Sequence, residues 1–257
     1  STSPSTMLVW NNSLLFSAES VIGREFFQLR VKPPVLTLNT TPISYSEGQR
    51  LKAIAPDAIL SDSDRKILPG GQLTVSLPNP VVGDALGFVQ FARVEQVSTS
   101  VHQDGVVFGT ISSASTPTHL SIIFNPNATI ARIQELIRSI GFYSTSDNPT
   151  ARNRGIRIKL EDGQSGIANR NVQVQVTPVN TKPTLDGLKT VSYQLNNPAG
   201  VAFAEDVTVS DVDSPNFDGG ELRVSLSGAD LQNMIIYLSG SLFSLDSLGT
   251  VRRAGVV

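Results

Sequence analysis

Asp211-Val212-Asp213 places two carboxylates at i and i+2, on one side of an extended segment, with Asn216, Asp218 and Gly219-Gly220 close behind. Carboxylates, an amide oxygen and backbone carbonyls on a glycine-bearing loop are hard donors in irregular geometry. That set suits calcium, which takes about six to eight oxygens, whereas zinc or copper would want His or Cys. A solvated turn whose Asp and Asn side chains bond their own backbone also accounts for so short a pattern.

The layout occurs twice. DSDRKILPGGQLTVSL, Asp62 to Leu77, precedes DVDSPNFDGGELRVSL, Asp211 to Leu226, by 149 positions. The offset pairs Asp57 with Asp206, Asp62 with Asp211, Asp64 with Asp213, Gly70-Gly71 with Gly219-Gly220, and Leu73, Val75, Leu77 with Leu222, Val224, Leu226, without a gap from Pro34 and Pro183 onward. A period this long is a whole domain, not the roughly 20–50-residue unit of a solenoid, so the chain reads as a window on a tandem array with both ends cut from something longer.

The elements that must position these residues are strands. Phe27-Gln28-Leu29-Arg30-Val31 and Val172-Gln173-Val174-Gln175-Val176 alternate at period two, as half-buried antiparallel strands do, and each runs into a proline-bearing linker: Lys32-Pro33-Pro34 and Asn180-Thr181-Lys182-Pro183. Leu73 to Leu77 and Ile156 to Leu160 alternate as well, and Val106-Val107-Phe108 follows the turn pair Asp104-Gly105. Ile130, Ile133, Ile137 and Ile140 recur at helical spacing, predicting one helix of about three turns with Asn127 as its N-cap. The expected architecture is all-β: tandem Greek-key β-sandwiches joined by short Pro linkers, with one short helix per repeat. Residues 1–33 would close a preceding repeat, 34–182 form a complete one, and 183–257 open another.

Bulk composition agrees with many strands joined by turns: 40% hydrophobic, only 16% charged and 6% aromatic, with 20 Gly and 15 Pro among 257 residues. A formal net charge of −2 leaves no basic footprint for nucleic acid, and no Lys/Arg-rich run addresses an anionic membrane. The lack of Cys excludes disulfides and thiolate chemistry. No apolar run reaches membrane-span length, and the chain opens on Ser without a leader, so membrane insertion is not expected and any targeting signal is missing or removed.

The Asp-x-Asp…Gly-Gly-x-Leu-x-Val-x-Leu run, together with FNPNATIARIQELIRSIGFYSTSDNP, LEDGQSG and the domain-ending VTPVNTKPTL, resembles the tandem cadherin-like repeats of large bacterial surface and secreted proteins, the RTX-adhesin type with Val-Asn-Asp-x-Pro linkers. The resemblance covers nearly the whole chain. It implies an extracellular or cell-surface location, calcium at the joints between sandwiches, and adhesion or stiff display. Partners would be neighbouring repeats, a surface protein or glycan, or copies assembled into a fibre or layer.

Carried over by position, the joint near Pro183 would draw on Glu47, Glu161, Asp162, Asn180, Asp211 and Asp213, with Thr181 standing where the family linker has Asp. At the joint near Pro34, Asp62 and Asp64 would meet Lys32 beside Arg30, so weaker calcium or a salt bridge is expected there; Asp218 is a further lesser candidate. Without metal, crowded carboxylates repel and the domains swing; with it, the chain becomes a rod.

Catalysis has little material. His102 and His119 have no acid or nucleophile placed beside them, Glu161-Asp162 and Glu205-Asp206 are strand neighbours facing opposite ways, and Gly163-Gln164-Ser165-Gly166 lacks the nucleophile-elbow spacing. No enzyme is expected. Asn11-Asn12-Ser13, Asn39-Thr40-Thr41 and Asn127-Ala128-Thr129 match the glycosylation acceptor pattern, relevant only to eukaryotic secretion. Trp10 reads as core or linker packing sooner than as a sugar platform. The alternative function, a carbohydrate-binding or spacer module of a secreted enzyme, would need an exposed aromatic strip, for which Phe88, Phe91 and Tyr143 are the material.

Overall fold

The computed structural model describes residues 6–10, 13–30, 32–89, 93–194, 200–225, 243–245 and 251–253. Phe91, Leu226 and the Asn11-Asn12 sites lie outside them, as does the side chain of Trp10. The chain divides into two compact units, Ser1–Asn180 and Thr181–Val257.

In the first unit, β1 (Thr6–Trp10), β2 (Ser13–Ser20) and β3 (Gly23–Arg30) form an antiparallel meander. Phe27, on the apolar phase of the alternation, is 39% exposed against 89% for Phe26, and it stacks on Phe16 at 5.3 Å between ring centroids. The cross-strand pair Phe16↔Phe27 explains the contact, since the two rings share one face of the meander.

The main body follows with β4 (Val35–Thr37), β5 (Ile43–Ser46), β6 (Lys52–Ala53), β7 (Ile59–Ser61), β8 (Gln72–Ser76), β9 (Asp84–Phe88), β10 (Val94–Val97), β11 (Ser100–Gln103), β12 (Val106–Ile111) and β13 (His119–Phe124). After them come helix α1 (Ile130–Ser139), β14 (Ile140–Ser144), β15 (Asn153–Glu161) and β16 (Ile167–Thr177). Eight strands join in the order β10-β11-β12-β13-β8-β15-β16-β5, while β6-β14-β9 and β4-β7 form small sheets. Burial alternates along β8, β15 and β16 as the period-two pattern predicts. That alternation sends Leu73, Val75, Ile158 and Val174 into one core with Leu36 and Leu60 of the β4-β7 pair, Phe142 of β14 and Leu136 of the helix. The β11-β12 hairpin turns on Asp104 and Gly105, both at positive φ (51° and 75°), the primed geometry that matches strand twist.

Three features differ from expectation. The helix is capped by Thr129, whose extended backbone lets its Oγ1 accept the Arg132 N–H at 3.2 Å; Asn127 instead donates Nδ2 to the Val107 carbonyl. Ile140, fourth in the helical series, already has the extended backbone of β14. β5 pairs parallel to β16, so the sheet is not purely antiparallel. The chain reaches that edge by crossing from the β4-β7 pair to the large sheet between Thr37 and Ile43.

The second unit contains the antiparallel pairs β17 (Thr184–Asp186) with β18 (Thr208–Ser210) and β19 (Phe243–Leu245) with β20 (Val251–Arg253). The register Thr184↔Ser210 reproduces Val35↔Ser61 at the 149-residue offset. The Gly71 N–H to Leu68 carbonyl bond (3.1 Å) likewise matches Gly220 to Phe217 (2.9 Å). The expected strand at Leu222 and Val224 is not formed, and Leu222 is 77% exposed. Among the described residues no helix is long and apolar enough to cross a membrane.

Arg154 is the largest fully buried side chain. Its Nε donates to Asp84 Oδ2 at 2.7 Å, and its Nη1 to the carbonyls of Arg152 (2.6 Å) and Thr150 (3.2 Å), tying β15 to β9. The partners satisfy a desolvated guanidinium, but removing either ion strands the other. Arg154→Ala is expected to lower unfolding free energy by about 3–5 kcal/mol in urea titration; a loss under about 1 kcal/mol, the level of an exposed pair, would contradict this role.

Candidate metal centre

The main body has two poles. Lys32 and Pro33 enter at one; Thr177 to Asn180 leave at the other, roughly 33 Å away along the eleven residues of β16.

At the entry pole Asp62 begins a tight turn, its Oδ1 accepting the N–H groups of Asp64 (3.1 Å) and Arg65 (3.0 Å). Asp64 Oδ2 accepts the backbone N–H of Lys32 at 3.1 Å, fastening the incoming linker to this turn. The β15-β16 turn completes the pole. Asp162 Oδ1 accepts Gln164 N–H (2.6 Å) and Gly166 N–H (2.9 Å), and the Asp162 carbonyl accepts from Arg65 Nη1 at 2.8 Å. Gly166 must be glycine, because a Cβ there would collide with Asp162 Oδ2 and come within 2.9 Å of Pro33 Cα. The turn thus presses the second oxygen of Asp162 toward the linker.

Asp62 is 8% exposed and Asp162 0%, and the Oδ2 atom of each is buried without a hydrogen-bond partner. Burial pushes the Asp62 carboxyl above its ordinary value, and the Asp64 carboxyl in contact with it adds to the rise. The same contact, followed by the Lys32 N–H, holds Asp64 below its ordinary value. The two carboxyls therefore titrate as an interacting pair.

The second unit repeats this turn. Asp211 Oδ1 accepts the N–H groups of Asp213 (3.1 Å) and Ser214 (3.0 Å), and Asp213 Oδ2 accepts Thr181 N–H at 2.5 Å, the counterpart of Lys32 and Asp64 at the 149-residue offset. Asp213 Oδ1 is buried without a partner. The Asp213 carboxyl beside it holds Asp211 below its ordinary value. Asp218 is exposed and donates its N–H to Asn216 Oδ1 (3.1 Å), a separate local turn.

The exit pole carries Glu47, whose Oε2 accepts Val179 N–H at 2.9 Å, and the exposed Asn180. Glu161 and Asp162 were expected with these two and are found instead at the entry pole, where the Glu161 carboxylate pairs with Lys159 Nζ at 2.9 Å. Chain order carried the signal: a turn joining the last two strands of a domain lies one strand length from the linker that follows them. The backbone-bonding turn, one of the two alternatives at the outset, is present at Asp62, Asp162 and Asp211, each of which spends its Oδ1 on it.

Among the described residues no three Asp, Glu or His side chains form a ready cage for a metal. The entry pole still fits a hard cation by its donors: two orphaned carboxylate oxygens, with Asp64 beside them. Arg65 and Lys32 work against it by charge, although Arg65 spends one donor on a backbone carbonyl. Elsewhere the chemistry is sparse. His102 and His119 are half-buried on β11 and β13, and Phe88 and Tyr143 pack against the core, leaving the aromatic strip without its two described members.

No family model and no curated protein matches this chain. Among solved structures it is similar to the Protocadherin GammaB4 extracellular domain, at 17% identity over 79% of this chain and 26% of that one, with a TM-score of 0.22. The chain spans about a quarter of that structure's length.

Asp62→Asn tests the electrostatics. With its folded value raised, Asp62 contributes stability that is complete below its unfolded value and lost as pH rises through the folded one; Asp64 does the reverse, contributing above its unfolded value and losing it as pH falls through its lowered folded one. At neutral pH ionised Asp62 is therefore a liability, while Asn keeps the Oδ1 acceptor and gives Asp64 an Nδ2 donor. In chelator at pH 7 the variant should melt above the parent and respond less to pH between about 4 and 7; a lower Tm across that range would contradict the assignment.

Proposed function

We propose that this chain is a segment of an extracellular structural or adhesive array in which calcium stiffens the joints between tandem β-sandwich units. The carrying observation is the pair of buried, unpartnered carboxylate oxygens of Asp62 and Asp162 at the pole where the linker enters. Calcium there would also draw on Asp64, with backbone carbonyls and water filling the remaining positions. It would supply charge neutralisation, offsetting the repulsion between the Asp62 and Asp64 carboxylates.

The tandem reading is supported by hydrogen bonds and strand registers that recur at the 149-residue offset, including the bond from the linker N–H to Asp64 or Asp213. Prolines at 33, 34 and 183 keep both linkers short and stiff. At the second joint Glu47, Asn180, Asp211 and Asp213 remain the proposed oxygen donors, with Thr181 reducing the ligand charge. Binding at either joint would add to the hydrogen bond that fastens the linker N–H to Asp64 or Asp213. We assign the chain no catalytic role, and place it outside the cell as a display or adhesion element.

Calcium in excess over chelator should raise Tm, by an amount equivalent to about 2.7 kcal/mol at a hundredfold excess over Kd, and should narrow the range of extensions seen by small-angle scattering. Identical melting and scattering profiles in calcium and in chelator would overturn the proposal. Asp162→Asn should abolish the calcium-dependent part of both.

A further inference from the structure

The outer face of the large sheet carries an open groove of about 690 Å3 where β15 and β16 pass the loop that follows β8. Its floor comes from two cross-strand pairs, Gly155 opposite Gln173 and Arg157 opposite Asn171, and its wall from Pro78, Asn79 and Pro80. Gly155 makes the depression: a Cβ there would stand in open space but for an ordinary 3.7 Å contact with Gln173 Nε2. No backbone constraint requires glycine at this position, since its φ is not in the left-handed region.

The lining has a consistent chemistry. Two guanidiniums, of Arg152 and Arg157, face the groove among side-chain amides, and no carboxylate lines it. Among the described residues no protein group bonds the Arg157 side chain, so its five N–H donors are available. Arg152 is held in place from below: its carbonyl accepts from buried Arg154 Nη1 (2.6 Å), its N–H donates to the Thr150 carbonyl (2.8 Å), and its Nη2 to the Asn79 carbonyl (3.2 Å). The buried Arg154–Asp84 pair therefore preorganises one wall of the groove.

We propose that this groove binds an acidic saccharide. Guanidiniums match a sugar carboxylate with paired N–H donors, and amides of Asn and Gln both donate to and accept from ring hydroxyls. Proline edges give apolar contact for a ring face. Nothing in the lining offers the enclosed apolar subsite that peptide side chains would need.

The test is a titration of the full chain, in chelator so that the Asp pole plays no part, with tetragalacturonate, its neutral methyl ester and inorganic sulfate. The acid should bind with amide shifts confined to 76–80, 152–157 and 171–173, and the ester should bind at least roughly tenfold more weakly. Arg157→Ala should weaken the acid by a similar factor. Gly155→Val, which the space accommodates and a strand favours, should block binding while leaving Tm within a few degrees of the parent. Equal binding of acid and ester, sulfate as effective as the saccharide, or no binding at all would overturn the proposal.

Discussion

A carboxylate oxygen taken out of water with no donor facing it raises the free energy of the folded state, and of the four such oxygens among the described residues two, on Asp62 and Asp162, lie where the linker from Lys32 and Pro33 joins the main body. Each is held there by its partner oxygen. Oδ1 of Asp62 closes one turn and Oδ1 of Asp162 closes another, so neither side chain can swing out to solvent without giving up two backbone bonds. The local structure thus enforces the desolvation, which a proton or a cation would relieve. Asp64, drawn toward both the pair and the Lys32 N–H, couples that relief to the linker.

The large sheet makes the arrangement possible. Nine paired positions along β15 and β16 form a stiff hairpin whose turn delivers Asp162 and Gly166 to Pro33, while the far end of β16 delivers the outgoing linker beside Glu47. Incoming and outgoing linkers therefore leave opposite ends of one rigid hairpin. The same hairpin carries the arginine groove on its outer face, with Arg154 linking the interior to the surface.

Much of this was legible in the residues. Alternation marked β8, β15 and β16 because one face of each meets the core and the other meets solvent, and the 149-residue echo marked the Asp turns because turn chemistry is local. Features set by distant partners were not legible. Thr129 rather than Asn127 caps the helix because Val107, twenty positions away, claims the Asn127 amide. The parallel β5 edge depends on a crossing between layers, and Arg154 looks like any outward residue of an alternating strand until Asp84 is placed beneath it. Asp162 was expected at the joint near Pro183, whereas the β15-β16 turn carries it to the pole near Pro33, a matter of strand direction and not of residue chemistry.

The most direct measurement is a crystal structure determined from crystals grown in calcium, with the ion identified by its anomalous signal. An ion about 2.3–2.6 Å from Asp62 Oδ2 and Asp162 Oδ2, with Asp64 in its shell, is the predicted result. Density for water alone beside Asp62 Oδ2 and Asp162 Oδ2 would contradict it.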